Sequence, residues 1–225
     1  MKKTSLVLMS GFAMACTVFA HQAPPVVNVA PAPTPAPRVQ PSPAGTAATQ
    51  VAGKWVAEKP GAEPRYRDGK WITVTYSRPI LRGRQAIFGH GADYGKKVSS
   101  GSPVWRAGAN QTTRLKTEVP LIMGGKTVPA GEYSLFVDLK EGAWTFILST
   151  QPHLQKYDPK DKSATWGSDH YDPRFDVLKI PMSLSRNAVS LDQFTIQFVN
   201  MTQAGGTLAL GWDTELAMVD FKVGM

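Results

Sequence analysis

Run after run of this chain alternates apolar and polar residues with a period of two. In TVTYSR, after Trp71, Val74 and Tyr76 alternate with hydroxyl side chains. EYSLFVDL sets Tyr133, Leu135, Val137 and Leu139 on one side, and WTFILST does the same with Trp144, Phe146 and Leu148. DVLKIPM, QFTIQFVN, TLALGW and ELAMVDFKV repeat the pattern towards the C-terminus. Successive side chains of a strand point to opposite faces, so each run predicts one buried face, as antiparallel sheets require. Turn signals fall between the runs: Gly124-Gly125, Pro129-Ala130-Gly131, Glu141-Gly142 and Gly205-Gly206. No long helical period competes. The expected fold is all-β, an antiparallel β-sandwich, with a partly closed barrel as second choice. By parity Tyr133 and Phe136 fall on opposite faces of one strand, which predicts one in the core and the other at a surface.

The folded part does not begin at Met1. Lys2 and Lys3 precede a short apolar stretch, Ser5 to Ala20, that ends in Val18-Phe19-Ala20. That pattern predicts a secretory signal, residues 1–20, rather than a membrane span. The alternative is lipidation at Cys16, the one cysteine of the chain. Cleavage after Ala20 leaves no thiol, which excludes disulfides and cysteine-bound zinc. From His21 to Gln50 there are eight prolines and seven alanines, with Arg38 the one charged residue. Residues 21–51 therefore read as a disordered linker, and 52–225 as the sandwich domain. The expected location is periplasmic or extracellular, with no transmembrane span in the mature chain.

Charge is distributed unevenly. Arg65 to Lys116 holds eleven Lys or Arg against two acids, whereas Thr117 to the end holds nine against thirteen. A basic front attracts anions. Export takes the chain away from nucleic acid, so the expected partner is an anionic small molecule or glycan. Oligomeric state cannot be read. Arg78, Arg82, Arg84 and Arg106 sit near rings and glycines. Arginine offers a planar fork for carboxylate or phosphate. Arg82 and Arg84 share a face if their segment is extended. With Asn110 and Thr113 these arginines make the candidate ligand site, beneath the turn in PVWRAGANQTTRL. In the structural alternative Gly108 permits the turn, the Asn110 amide caps backbone groups, and Arg106 is held by carbonyls.

No metal site or cofactor is expected, and the sequence assigns no catalytic residue. Asp158, Asp161, Asp169, Asp172 and Asp176 crowd one loop, but without calcium-loop spacing. His90, His153 and His170 have no evident serine partner, and no G-x-S-x-G occurs. The balance favours a non-catalytic binding module. A hydrolase acting on a glycan or ester, and a scaffold for another envelope protein, are the alternatives.

Several short motifs in order, YSRP, RGR, IFG, VWR-x-GAN, GK-x-x-PAG-x-YSLF, WT-x-I, WG and DVL, resemble the bacterial family of unknown function numbered 2911. The likeness spans roughly Lys70 to Val223. It implies an exported β-rich protein and no assigned activity. Gln111 stands where relatives commonly carry glutamate, and Ser149 where asparagine is common. If that glutamate were a general base, this chain lacks it.

Overall fold

The computed structural model describes residues 41–224; the signal stretch 1–20 and most of the Pro/Ala-rich segment lie outside them. Twelve strands run in order: β1 (Ala44–Val51), β2 (Lys54–Val56), β3 (Arg65–Arg67), β4 (Lys70–Ser77), β5 (Thr113–Thr117), β6 (Leu121–Met123), β7 (Lys126–Val128), β8 (Gly131–Lys140), β9 (Ala143–Ser149), β10 (Asp176–Pro181), β11 (Ser183–Thr202) and β12 (Gly205–Val223). β1-β4-β5-β8-β9-β10 form one sheet, β11-β12-β6-β7 a second, and β2-β3 a separate hairpin. Every pairing is antiparallel. β1 meets β11 on one flank and β10 meets β7 on the other. Neither contact belongs to a hydrogen-bonded ladder, so the architecture is a sandwich and no barrel closes.

The two inner faces bury the alternating residues the sequence marks. Ile72, Val74 and Tyr76 of β4 face Phe194, Ile196, Leu208, Leu210 and Trp212 across one core. Its centre is aromatic. Trp105 stacks on Trp212 with ring centres 6.2 Å apart and meets Phe194 edge-on at 5.0 Å. Phe88 lies 4.8 Å from Trp144. Each buried indole finds an acceptor for its N–H, as buried tryptophan requires: Trp105 donates to the Gly108 carbonyl at 3.1 Å, Trp144 to the Tyr94 hydroxyl at 2.9 Å, and Trp212 to the Asp192 carbonyl at 3.3 Å. The Tyr76 hydroxyl crosses between the sheets and bonds both backbone groups of Ile196.

Three expectations change. Ala44–Val51, assigned above to the linker, is a strand in unbroken register with β4, from Ala44↔Ser77 to Val51↔Lys70. Ala47 and Val51 face the core. Alanine and threonine make that alternation too faint to see, and the ladder to β4 outweighs weak propensity. Tyr133 and Phe136 are both buried. The outer face around Phe136 is covered by Val104 and Tyr171, which form a small second core with Ile147. TLALGW and ELAMVDFKV are one strand, β12. Asp213, at φ +53, sits between them where the register with β11 shifts.

A chain starting at Ala52 should melt well below one starting at Pro41. Unburying Val51 alone costs about 1.5–3 kcal/mol, and β4 loses its outer partner. Equal melting temperatures would return β1 to the linker.

Candidate functional site

The corner after Trp105 is built from the backbone outward. Trp105 exchanges two hydrogen bonds of 2.8 Å with Val137 at the edge of β8. The chain then turns through Ala107 at φ +45, Gly108 at φ +155 and Asn110 at φ +58. A Cβ at Gly108 would stand 2.9 Å from the Ser77 carbonyl oxygen, so only glycine fits. The Thr113 hydroxyl donates to the Ala107 carbonyl at 2.9 Å, and Arg106 Nη1 donates to the Asn110 carbonyl at 3.0 Å. A second loop clamps the corner. The Thr112 hydroxyl donates to the Gly167 carbonyl at 2.9 Å. Gly167 gives the Arg106 guanidinium its floor, because a Cβ there would come within 2.3 Å of Nη1. Burial lowers the Arg106 pKa from its ordinary value, and Asp169 opposes that shift. It stays charged at neutral pH.

The six proposed ligand residues separate into two groups. Arg84, Arg106 and Asn110 line one cleft of about 290 Å³, together with Lys97, Ser42 and Ser100. The other three are elsewhere. Thr113 is fully buried with its hydroxyl already engaged. Arg78 lays its stem along Gly45. Arg82 and Gly83, at φ +53 and +75, make a tight turn, so Arg82 and Arg84 share no strand face. The turn aims Arg84 back at the chain: its Nε donates to the Leu81 carbonyl at 2.8 Å and Nη2 to that of Ile80 at 2.6 Å. Nη1 remains for the cleft. Asn110 takes the left-handed conformation, and its main-chain carbonyl, not its side-chain amide, closes the corner.

No carboxylate lines this cleft. Among the described residues, the backbone N–H groups of Gly108, Ala109 and Asn110 meet no protein acceptor. The charged side chains of the wall, Arg84, Lys97 and Arg106, are therefore all cations, set among apolar Pro79, Ile87, Val98 and Trp212. Lys97 had no signal in the sequence; its short helix, Lys96–Ser99, brings it across from Arg106.

A larger cleft, about 560 Å³, lies on the other side of Ile87. His90, Tyr94, Glu141 and Arg186 line it, drawn from three distant segments, which is why spacing along the chain could not reveal it. The Gly91 amide at 2.7 Å and the His90 ring at 3.4 Å hold the Glu141 carboxyl below its ordinary pKa. Burial raises that of the Tyr94 phenol. Among the described residues no hydroxyl bonds a histidine ring: His153 accepts from Gln155 and meets Arg114. The acidic loop is occupied by its own turns. Asp158 accepts from the Lys160 amide, Asp161 from Ser163, and Asp172 from Arg174.

A family model described as "Protein of unknown function (DUF2911)" matches residues 61–221. The chain belongs to this family. The match begins after β1 and β2 and takes in β3 through most of β12, so both walls of the Arg84–Arg106 cleft belong to the DUF2911 region except Ser42. No curated protein and no solved structure matches the chain.

Gly108→Ala should cost about 1–3 kcal/mol for the forced backbone alone. Arg106→Ala should cost about 1–3 kcal/mol, because the Asn110 carbonyl loses a charged donor. Arg82→Ala should stay within about 0.5 kcal/mol, as exposed turn residues do. Denaturant melts of the three variants check the order; an Arg82 effect equal to that of Arg106 would contradict it.

Proposed function

We propose that this chain is an exported cell-envelope protein whose sandwich binds a small anionic ligand without chemical turnover. The ligand class is an acidic sugar or a phosphorylated head group. The observation that carries the reading is the sign of the cleft: Arg84, Lys97 and Arg106 line it and no acid does. Planar guanidinium groups suit carboxylate and phosphate oxygens. Free main-chain amides of the 108–110 turn add neutral donors, the arrangement by which successive N–H groups cradle anions. Three converging cations and a volume of about 290 Å³ suit one anionic group with a short appendage. Export is supported by Lys2-Lys3, the short apolar stretch and Val18-Phe19-Ala20. Among the described residues no helix is long and apolar enough to cross a membrane.

Titration of inorganic phosphate, glucuronate and glycerol phosphate tests the binding. At least one should bind, more weakly as salt rises. Lys97 is exposed and forms no ion pair among the described residues, so Lys97→Glu should weaken binding roughly tenfold, about 1.4 kcal/mol, with melting unchanged. Arg106→Lys should retain part of the affinity. Unaltered binding in Lys97→Glu would remove the cleft from the function. Turnover of an ester or glycan by the purified protein would favour the hydrolase instead, and binding of a partner protein with no small anion would favour the scaffold. Mass spectrometry of the mature N-terminus tests export: His21 is expected first, a lipidated Cys16 would give the tethered form, and an intact Met1 would contradict both.

A further inference from the structure

The β2-β3 hairpin carries a surface that neither the core nor the anion cleft explains. Trp55 is 64% exposed and Trp71 46%, although indoles are among the residues a fold most readily buries. Isolated exposed apolar residues are ordinary, but these are contiguous. Trp55 pairs with Tyr66 across the hairpin, and their rings meet edge-on at 5.3 Å. The Tyr66 ring lies on Gly53 and Gly69, where any Cβ would come within 2.6 Å of it. The Gly53 amide donates to its hydroxyl at 2.8 Å. Gly69 in turn abuts Gln50. Gln50 is the register partner of Trp71, and paired residues of a sheet point to one face. Trp55, Tyr66 and Trp71 thus follow one another along a single strip, with Gln50 between Tyr66 and Trp71.

Cations lie beside the strip. The hairpin is hydrogen-bonded to neither sheet, and neither tryptophan lines the two clefts above. Lys116 is the register partner of Thr73, which shares a face with Trp71. Arg65, Lys70 and Lys116 are exposed, and none forms an ion pair among the described residues; Lys116 shares the Trp71 face, while Lys70, partner of Val51, and Arg65, partner of Val56, sit next in sequence to Trp71 and Tyr66 on the alternate parity. The acids nearby are mostly engaged: Asp68 by Lys54, Glu58 by Arg67, and Glu118 by the Trp71 amide. Glu63 stands in the hairpin loop.

Indole rings favour the boundary between head groups and acyl chains, and lysine or arginine beside them is drawn to anionic lipid. We infer that the Trp55–Trp71 strip docks the domain on an anionic lipid surface. This does not rest on the anion cleft, which lies on other residues.

The test uses the full chain with vesicles of phosphatidylcholine, alone or mixed with phosphatidylglycerol, carrying brominated acyl chains that quench nearby indoles. Quenching is expected with the anionic vesicles. Trp55→Phe with Trp71→Phe should abolish the quenched component while melting is unchanged. Lys70→Glu with Lys116→Glu should weaken vesicle binding roughly tenfold or more. Absence of quenching, or quenching that survives the double phenylalanine variant, would overturn the inference. So would indole quenching or shift by dextran sulfate with none by vesicles, which would assign the strip to a polyanionic glycan.

Discussion

The corner that carries the candidate cleft hangs on Trp105. It is buried to 1% exposure between Phe88, Phe194, Trp144 and Trp212. An indole buried that deeply must still satisfy its N–H. The acceptor is the carbonyl of Gly108, three residues on, so the ring ties the turn to the core. That tie forces the chain back on itself within a few residues. Glycine is required where the turn passes the Ser77 carbonyl, and a residue tolerant of positive φ is required at Asn110.

The same economy divides the arginines. A guanidinium has five donors. Arg106 uses one on the corner and Arg84 uses two on the Ile80 and Leu81 carbonyls. Each is thereby tied to the main chain beside the cleft that it lines. Preorganised donors lose less entropy on binding than a free surface side chain. The corner is structural, and the cleft is the surface that the corner holds in place.

The strands were legible where both period and residue size were strong. β4, β8, β9, β10, the C-terminal half of β11 and both halves of β12 carry large apolar residues at every second position, whereas the first half of β11, SLSRNAVS, does not. β1 was hidden because its inward residues are Ala47 and Val51 and its neighbours are Ala, Thr and Gly. Phe136 showed that parity decides which face a side chain takes, not whether a loop covers that face. Of the candidate residues, Arg84, Arg106 and Asn110 come to one cleft, and the glycine and asparagine of the corner mark its turn in the sequence. Lys97 was not, since a lysine 9 residues before Arg106 says nothing until the intervening loop folds. Arg82 was misplaced by treating a left-handed turn as extended chain. Arg78 and Thr113 were misplaced because polarity alone does not separate a buried hydrogen-bonding partner from an open one.

The central claim is that the fold holds Arg84 and Arg106 as a ready anion seat. An anomalous-scattering map from crystals of the protein grown with selenate or tungstate tests it most directly. The account predicts an anion peak in the cleft, bonded to Arg106, Arg84 and the amides of the 108–110 turn, with the Trp105–Gly108 bond intact. Anion peaks at scattered surface lysines and none in the cleft, or a cleft filled by its own side chains, would contradict it.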